Sequence, residues 1–293
     1  MLAVVPGPSQ ELSASPQPSR VALGVVTYNN EATHLRRLLC SIELAADQLD
    51  VTHHDAALFT IDCGEPAEWI RARIPHYRLD TQGNLGFGGG MNVLLAEAFA
   101  QASVSWFLCV NPDGLLHRDL LAEMLRTAEA NPQSLVEARQ FPEEHPKPYD
   151  AYTGRTLWAS GACLLIPRAI FETIGGFDPN IFMYMEDVDY SWRARAAGFT
   201  VHVAPRALFG HSVLDRKPNL VIEKYYYFSA RYLAYKWGDK KQQAFYESVI
   251  LDRKYVDELP PLPPLTHPAS RRPAKRRPAV FKHGFAFSPL RWS

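Results

Sequence analysis

The sequence predicts an α/β fold with a mostly parallel central sheet flanked by helices, and three observations predict it. Apolar runs of strand length alternate with segments whose apolar residues recur at helical spacing. Each run stops in polar or turn-forming residues, and a helix signal follows, which is the rhythm of right-handed βαβ units. At 293 residues the chain can bury one full-sized core, and its length demands no second one.

The first strand is VALGVV, 21–26, apolar throughout, as a parallel strand covered on both faces must be. It stops at Thr27, Tyr28, Asn29 and Asn30, and a helix follows in which Leu35, Leu38, Leu39 and Ile42 share one side. AALFTI, 56–61, is a second strand and ends at Asp62. A short strand over His76–Leu79 leads into GNLGFGGG, 83–90, read as a glycine-rich loop, with a helix from about Met91 to Ala102. SWFLCV, 105–110, is another buried strand, ending at Asn111-Pro112-Asp113-Gly114 before a helix over 116–129. Ligands of such sheets bind beyond the carboxyl ends of the strands, and Thr27–Asn30, Asp62, Asn84 and Asp113 all fall there.

The second half is less regular. Residues 131–157 are rich in proline and charge without periodicity and read as a surface excursion. ASGACLLI, 159–166, is a strand, and Pro167 opens a short helix closed by Gly175-Gly176. In EDVDYSWRARAAG, 186–198, the acids occupy the first turn and the arginines the last two, with Gly198 just past the end. Every terminal signal there agrees with the helix dipole. FTVHVA is the last strand and leads to a loop carrying His211.

Composition narrows the function. The apolar fraction of 47% and charged fraction of 21% are those of an ordinary globular protein. The net charge of zero hides an asymmetry: from Leu259 onward there are seven Lys/Arg and no acid, leaving 24 basic and 31 acidic residues in 1–258. An acidic body with a basic tail argues against nucleic acid as the partner and suits contact with an anionic membrane surface. Cys40, Cys63, Cys109 and Cys163 show no metal spacing, and Cys109 and Cys163 lie in apolar runs, as buried free thiols of a reducing compartment do. MLAVVPGPSQ lacks a basic leader, and no run approaches the roughly 20 apolar residues of a membrane span. The expectation is a cytoplasmic protein, peripheral on the inner face of the membrane.

The strand-end residues match one chemistry well. Moving a sugar from a nucleotide diphosphate requires neutralising the departing diphosphate, holding the base, and taking a proton from the acceptor hydroxyl. A hard divalent cation on oxygen ligands meets the first need, and Asp113 is placed to hold one. Glu186 and Asp187, at the positive end of a helix, supply a candidate base whose proton affinity burial beside another acid would raise. His211 can complete the metal shell. Singly these signals are weak, since NPD is a common turn and acids at a helix start are usually caps.

In order, they are specific. VVTYNN, NLGFGGGMN, NPDG and the block ASGACLLIPRAIFETIGGFDPNIFMYMEDVDYSWRARAAGFTVHVAP…GHS resemble the family 2 glycosyltransferases of the GT-A fold. The likeness covers roughly residues 20–235 and is strongest to the rhamnosyltransferase-like branch of bacterial polysaccharide synthesis. It implies that Thr27, Tyr28 and Asn29 line the nucleotide pocket, that Asp62 reads the pyrimidine imide, and that Asn84, Gly86 and Asn92 lie near the ribose and diphosphate. It implies that Asn111 and Asp113 stand at the two positions of the metal-binding DxD motif, that Asp187 of the Glu186-Asp187 pair is the base, and that His211 joins the metal. Direct displacement with inversion, Mg²⁺ or Mn²⁺ as cofactor, dTDP-rhamnose or a UDP-sugar as donor and a glycan or polyprenyl-diphosphate-linked acceptor are further implications. One departure stands out: the family's polar Asn-Gly-Ser/Thr-x-Asp turn reads Asp62-Cys63-Gly64-Glu65-Pro66 here, which puts base preference in question.

The rest reads as a disordered leader over 1–19, a catalytic domain over 20–215, a helical extension over 216–258 and a Pro-rich basic tail over 259–293. VIEKYYYFSARYLAYKWGDKK, 221–241, places Ile222, Tyr225, Tyr226, Tyr232 and Leu233 on one side with Lys224, Arg231, Lys236, Lys240 and Lys241 interspersed, the make-up of an interfacial helix. An NAD(P)-dependent Rossmann oxidoreductase is the rival enzyme. Met91 stands where the third glycine of GxGxxG belongs, and no acid ends a strand twenty residues on. A non-catalytic nucleotide-sugar-binding homologue is the other rival, and Asp113, Asp187 and His211 speak against it.

Overall fold

A computed structural model of the chain describes residues 18–80, 83–145, 147, 149–150, 152–212 and 219–265. Most of the leader and everything after Leu265, including the basic run from Arg271, lie outside the described residues.

The first half follows the predicted rhythm. β1 (Ser19–Thr27), α1 (Ala32–Ala46), β2 (His54–Asp62), β3 (His76–Leu79), α2 (Gly86–Ala100) and β4 (Val104–Val110) form parallel units in the order β3-β2-β1-β4. Side chains of β1 alternate between two cores: Val21, Leu23 and Val25 face α1, while Ala22 and Val26 face α2. Leu35, Leu38, Leu39 and Ile42 of α1 are all fully buried, as their spacing requires.

The second half is mixed. After β5 (Gly114–Leu116), α3 (Leu120–Ala130) and β6 (Ser134–Phe141) come β7 (Cys163–Pro167), α4 (Arg168–Ile174), α5 (Glu186–Ala196) and β8 (Thr200–His211). They extend the sheet to eight strands in the order β3-β2-β1-β4-β7-β6-β8-β5. β7 runs antiparallel to β4 and β6, β8 runs parallel to β6, and β5 antiparallel to β8. The 131–157 segment is therefore partly a buried strand: Leu135, Val136 and Ala138 of β6 are fully covered. Its alternation is broken by Glu137 and by the register shift after Ala138, which is why no period shows. His211 likewise sits on a strand and not in a loop. The bulge around Pro205 lets β8 resume pairing at Leu208 and continue to His211, which faces Gly114 of β5.

The helices also differ at their ends. α2 begins at Gly86, so the glycine run is its first turns. The glycines are required by close packing: a Cβ at Gly90 would lie 2.8 Å from Val26, and one at Gly86 2.0 Å from the Phe182 carbonyl. Beyond the sheet, α6 (Leu220–Trp237) and α7 (Lys240–Asp252) form a hairpin. Ala230, Leu233, Ala234 and Trp237 of α6 pack on Trp158, Val188 and Trp192. Tyr232 and Leu233 are thus core residues, as are Arg231 and Lys236, which cannot serve an interfacial face. Among the described residues no helix is long and apolar enough to cross a membrane.

Candidate active site

At the ends of β1 and β2 two turns lock together. Thr27 Oγ1 makes a short hydrogen bond to Asp62 Oδ1, its register partner. Asp62 Oδ2 also accepts from Ala67 N at 3.2 Å and from the Arg78 guanidinium at 3.3 Å. Asn29, with φ of 53°, accepts from Glu65 N at 2.9 Å. A Cβ at Gly64 would stand 2.5 Å from Asn29 Oδ1, so the altered Asp62-Cys63-Gly64 turn keeps its shape through glycine. Tyr28, 56% exposed, leaves its ring open to solvent beside these turns.

The start of α2 closes against them. Asn84 Oδ1 accepts from Gly86 N at 3.0 Å, shaping the entry to the helix. Asn92, expected near the ribose and diphosphate, is committed elsewhere. Its amide donates to the Phe177 carbonyl at 2.9 Å and its Oδ1 accepts from Phe177 N at 2.6 Å. It clamps the segment before α5 onto α2, and only Gly176 leaves room for it.

The end of β4 carries the third group. Asn111 N donates to the Ala162 carbonyl at 2.9 Å, and His211 Nε2 lies 3.3 Å from Asn111 Nδ2 and 3.4 Å from Asp113 Oδ1. His211 is nearly buried, and its Nδ1 stands 2.9 Å from Gln140 Oε1. An amide oxygen can only accept, so Nδ1 carries the proton and Nε2 presents its lone pair to the Asn111 amide, beside Asp113. A histidine fixed in this way by a group behind it is the usual arrangement of a metal ligand.

The start of α5 holds the acids. Asp187 Oδ2 accepts from Gly161 N at 2.8 Å and Oδ1 from Val188 N at 2.7 Å, so each oxygen is held by one amide and keeps lone pairs for another donor. Burial raises the Asp187 pKa, opposed by those two amides and then by Lys147. Glu186 is only 6% exposed, and its Oε2 is buried with no hydrogen-bond partner. Burial first, and the Asp187 charge second, push its pKa well above the ordinary carboxyl value. Of this close pair Glu186 holds the proton and Asp187 the charge. The two residues before them, Tyr184 and Met185, are both left-handed, with φ of 65° and 69°. Such strain costs about 1–3 kcal/mol per residue and collects at working sites. Residues 161–162 tie the site together, Gly161 holding Asp187 while the Ala162 carbonyl holds Asn111.

Sequence reasoning missed the charges beneath the site. Asp189, wholly buried, is held by Arg193, Lys236 and the Trp237 indole, and Lys236 also reaches Asp178. A second buried pair, Lys147 and Glu137, arises from the segment taken for a surface excursion. The one signal available was the density of charge among apolar residues, which periodicity does not read. Elsewhere a cavity of about 430 Å³, lined by Tyr149, Arg155, Arg195 and Phe199 among others, holds none of the site residues.

Comparison with known proteins finds similarity to glycosyltransferases. The family described as glycosyltransferase like family 2 matches residues 130–223, which contain the Asp187 and His211 elements. N-acetylglucosaminyl-diphospho-decaprenol L-rhamnosyltransferase of Mycobacterium tuberculosis is 27% identical over 232 residues, covering 62% of this chain and 72% of that protein. Rhamnosyltransferase WbbL of Escherichia coli K12 is 24% identical over 156 residues, 42% of this chain and 59% of its own. The chain is a glycosyltransferase, similar over these residues to family 2. This glycosyltransferase has the GT-A fold. A crystal structure of GalNAc-T7 with UDP, GalNAc and Mn²⁺ superposes with a TM-score of 0.56 at 12% identity, over 81% of this chain and about half (52%) of that one. That likeness concerns the fold.

Proposed function

We propose that the protein transfers a sugar, rhamnose favoured, from a nucleotide diphosphate to a lipid-linked acceptor, with inversion at the anomeric carbon. The observation that carries this reading is the Asp187 carboxylate, charged, half-buried and gripped by two amides beside a neutral Glu186. Asp187 accepts the proton of the acceptor hydroxyl as the oxygen attacks, and its raised pKa suits that role. With Glu186 neutral, Asp187 has no ionised carboxylate beside it on α5 to act as a nucleophile, which favours one displacement over two.

The Asp113 carboxylate and the His211 Nε2 lone pair fit a divalent cation such as Mg²⁺ or Mn²⁺, with Asn111 beside them. Among the described residues no group of three or more His, Cys, Asp or Glu forms a full shell, so phosphate oxygens and water would supply the rest. The ion's chemistry is to offset charge building on the departing diphosphate. Thr27, Tyr28, Asn29 and Asp62 shape the base end of the cleft, and Asn84 and Gly86 shape the phosphate end. Asp62, tied to Thr27, Ala67 and Arg78, serves the base through the turn it builds as much as through its own oxygens.

The Mycobacterium relative's name specifies N-acetylglucosaminyl-diphospho-decaprenol and L-rhamnose, and this supports a polyprenyl-diphosphate-linked glycan as acceptor and dTDP-rhamnose as donor here. The catalytic unit is assigned to 20–215, the helical extension to 216–258, and the basic run after Leu259 to peripheral contact with an anionic leaflet. Incubation with dTDP-, UDP- and GDP-sugars and a polyprenyl-diphosphate-linked glycan acceptor tests the reading. Release of dTDP from dTDP-rhamnose, with thermal stabilisation by dTDP and Mg²⁺ but not NAD(P), is expected. No release from any donor, with stabilisation by nucleotide alone, would favour the binding-only reading.

A further inference from the structure

Lys147 and Glu137 form an ion pair with both side chains essentially out of solvent. Lys147 Nζ also stands 4.2 Å over the Trp158 ring. A buried pair of this kind is seldom a net source of stability, because desolvation of both charges opposes their attraction. Its position connects the two ends of the cleft. Glu137 lies inside β6, facing Leu164 of β7 and Val203 of β8. Three residues on, Gln140 Nε2 donates to Glu137 Oε1 at 3.4 Å while its Oε1 receives the His211 Nδ1 proton at 2.9 Å. On the other side Trp158 packs with Met185 and Val188, which flank the two acids, and leads through Ser160 to the Gly161 amide on Asp187.

We propose that the buried Lys147–Glu137 pair is a positioning device for transfer: it orients His211 through Gln140 at the diphosphate end and sets the electrostatic environment of the Asp187 carboxylate at the acceptor end. The inference rests on Asp187 being the base. The groups facing Asp187 are Glu186 on its own helix, Lys147, Glu137 on β6 and Cys109 on β4. Of these Lys147 alone favours the charged carboxylate, Glu137 opposes it, and the Lys147 influence ranks first of the two. Cys109, fully buried with its pKa raised, stays a neutral thiol. Burial pushes the Lys147 ammonium toward its neutral form and Glu137 is the main group that keeps it charged, so loss of either partner leaves the Asp187 carboxylate binding its proton more tightly.

The test is the acid limb of the kcat/KM–pH profile for the full chain with donor and acceptor. Lys147→Met and Glu137→Gln should both move that limb to higher pH, each by about half a pH unit, a threefold change in proton concentration. A merely structural pair would lower activity in both variants without moving the limb. If either single variant fails to fold, Lys147→Met/Glu137→Gln leaves no buried charge unpaired and keeps an acceptor for Gln140. That double variant should fold and shift the limb upward, because the stronger influence, that of Lys147, is gone. Limbs unmoved in every folded variant, while Asp187→Asn is inactive, would overturn this inference alone. An active Asp187→Asn would overturn the assignment of the base instead.

Discussion

The two halves of the sheet treat charge differently. In β3-β2-β1-β4 the strands are parallel, and β1, β2 and β4 are largely apolar. Apart from Thr60, bonded to His76 of β3, their buried polar groups stand in or beside the turns where strands end, such as Thr27 beside Asp62. In β7-β6-β8-β5 charged and polar groups lie within the elements: Glu137 and Gln140 on β6, His202 and His211 on β8. The α5–α6 contact packed beside that half buries Asp178, Asp189, Arg193 and Lys236 as well. A ligand that meets the first half meets backbone turns and one exposed aromatic ring. A ligand that meets the second half meets charges already held by other charges. The first half is therefore built for recognition and the second for the chemical step, and variants should divide along that line.

The largest expected effect is loss of the cation on the Asp113–His211 side. Exhaustive chelation should remove all measurable transfer, and Mg²⁺ or Mn²⁺ should restore it. Lys147, the buried cation that acts on Asp187, is paired with Glu137. Full activity after chelation would erase the distinction between the halves. Next is Asp187→Asn, which should keep donor binding, as read by dTDP stabilisation, and reduce turnover at least ~100-fold, the lower range for loss of a general base. Near-normal turnover would move the role elsewhere.

A third variant tests the buried charges as scaffold. Lys236→Met leaves Asp178 and Asp189 short of a cation in a dry contact between α5 and α6. Breaking a buried pair from one side costs about 3–5 kcal/mol. At about 2–4 °C per kcal/mol for a domain of this size, the melting temperature should fall by about 10 °C. A shift under 2 °C would show that the network contributes nothing to holding α5.

The contrast also explains what the sequence disclosed. Val21 to Val26, Leu35 to Ile42 and Trp106 to Val110 obey simple periods because each face meets one apolar layer, so their elements were legible. β6 was not, because Glu137 interrupts its apolar run and the bulge after Ala138 shifts its phase. β5 is three residues long and owes its place to β8, with Gly114 required where the Phe209 ring passes. At the site, Asp113, Glu186, Asp187 and His211 could be named because strand ends and helix starts are marked locally. That Asn92 clamps Phe177, or that Gln140 stands behind His211, depends on contacts 85 and 71 residues apart, which no local pattern encodes.

The smallest effect expected concerns Glu186, and it sharpens the difference between two adjacent acids. Glu186 is buried, its Oε2 lacks a partner, and its pKa is raised by burial first and by Asp187 second. An acid whose folded-state pKa is raised binds more protons in the native than in the unfolded state between the two pKa values. Stability therefore falls as pH rises above the unfolded value, near 4.5, and stops falling once the native group has also ionised. Glu186→Gln removes that dependence while keeping the shape of a neutral carboxyl. The melting temperatures of Glu186→Gln and the unaltered protein should be close at pH 5 and diverge toward pH 8, with Gln the more stable. Turnover of Glu186→Gln should stay within about tenfold, since a neutral group there is not the base. Parallel melting curves from pH 5 to 8 would mean that Glu186 is charged in the folded protein. The division of labour between a protonated Glu186 and an ionised Asp187 would then have to be abandoned.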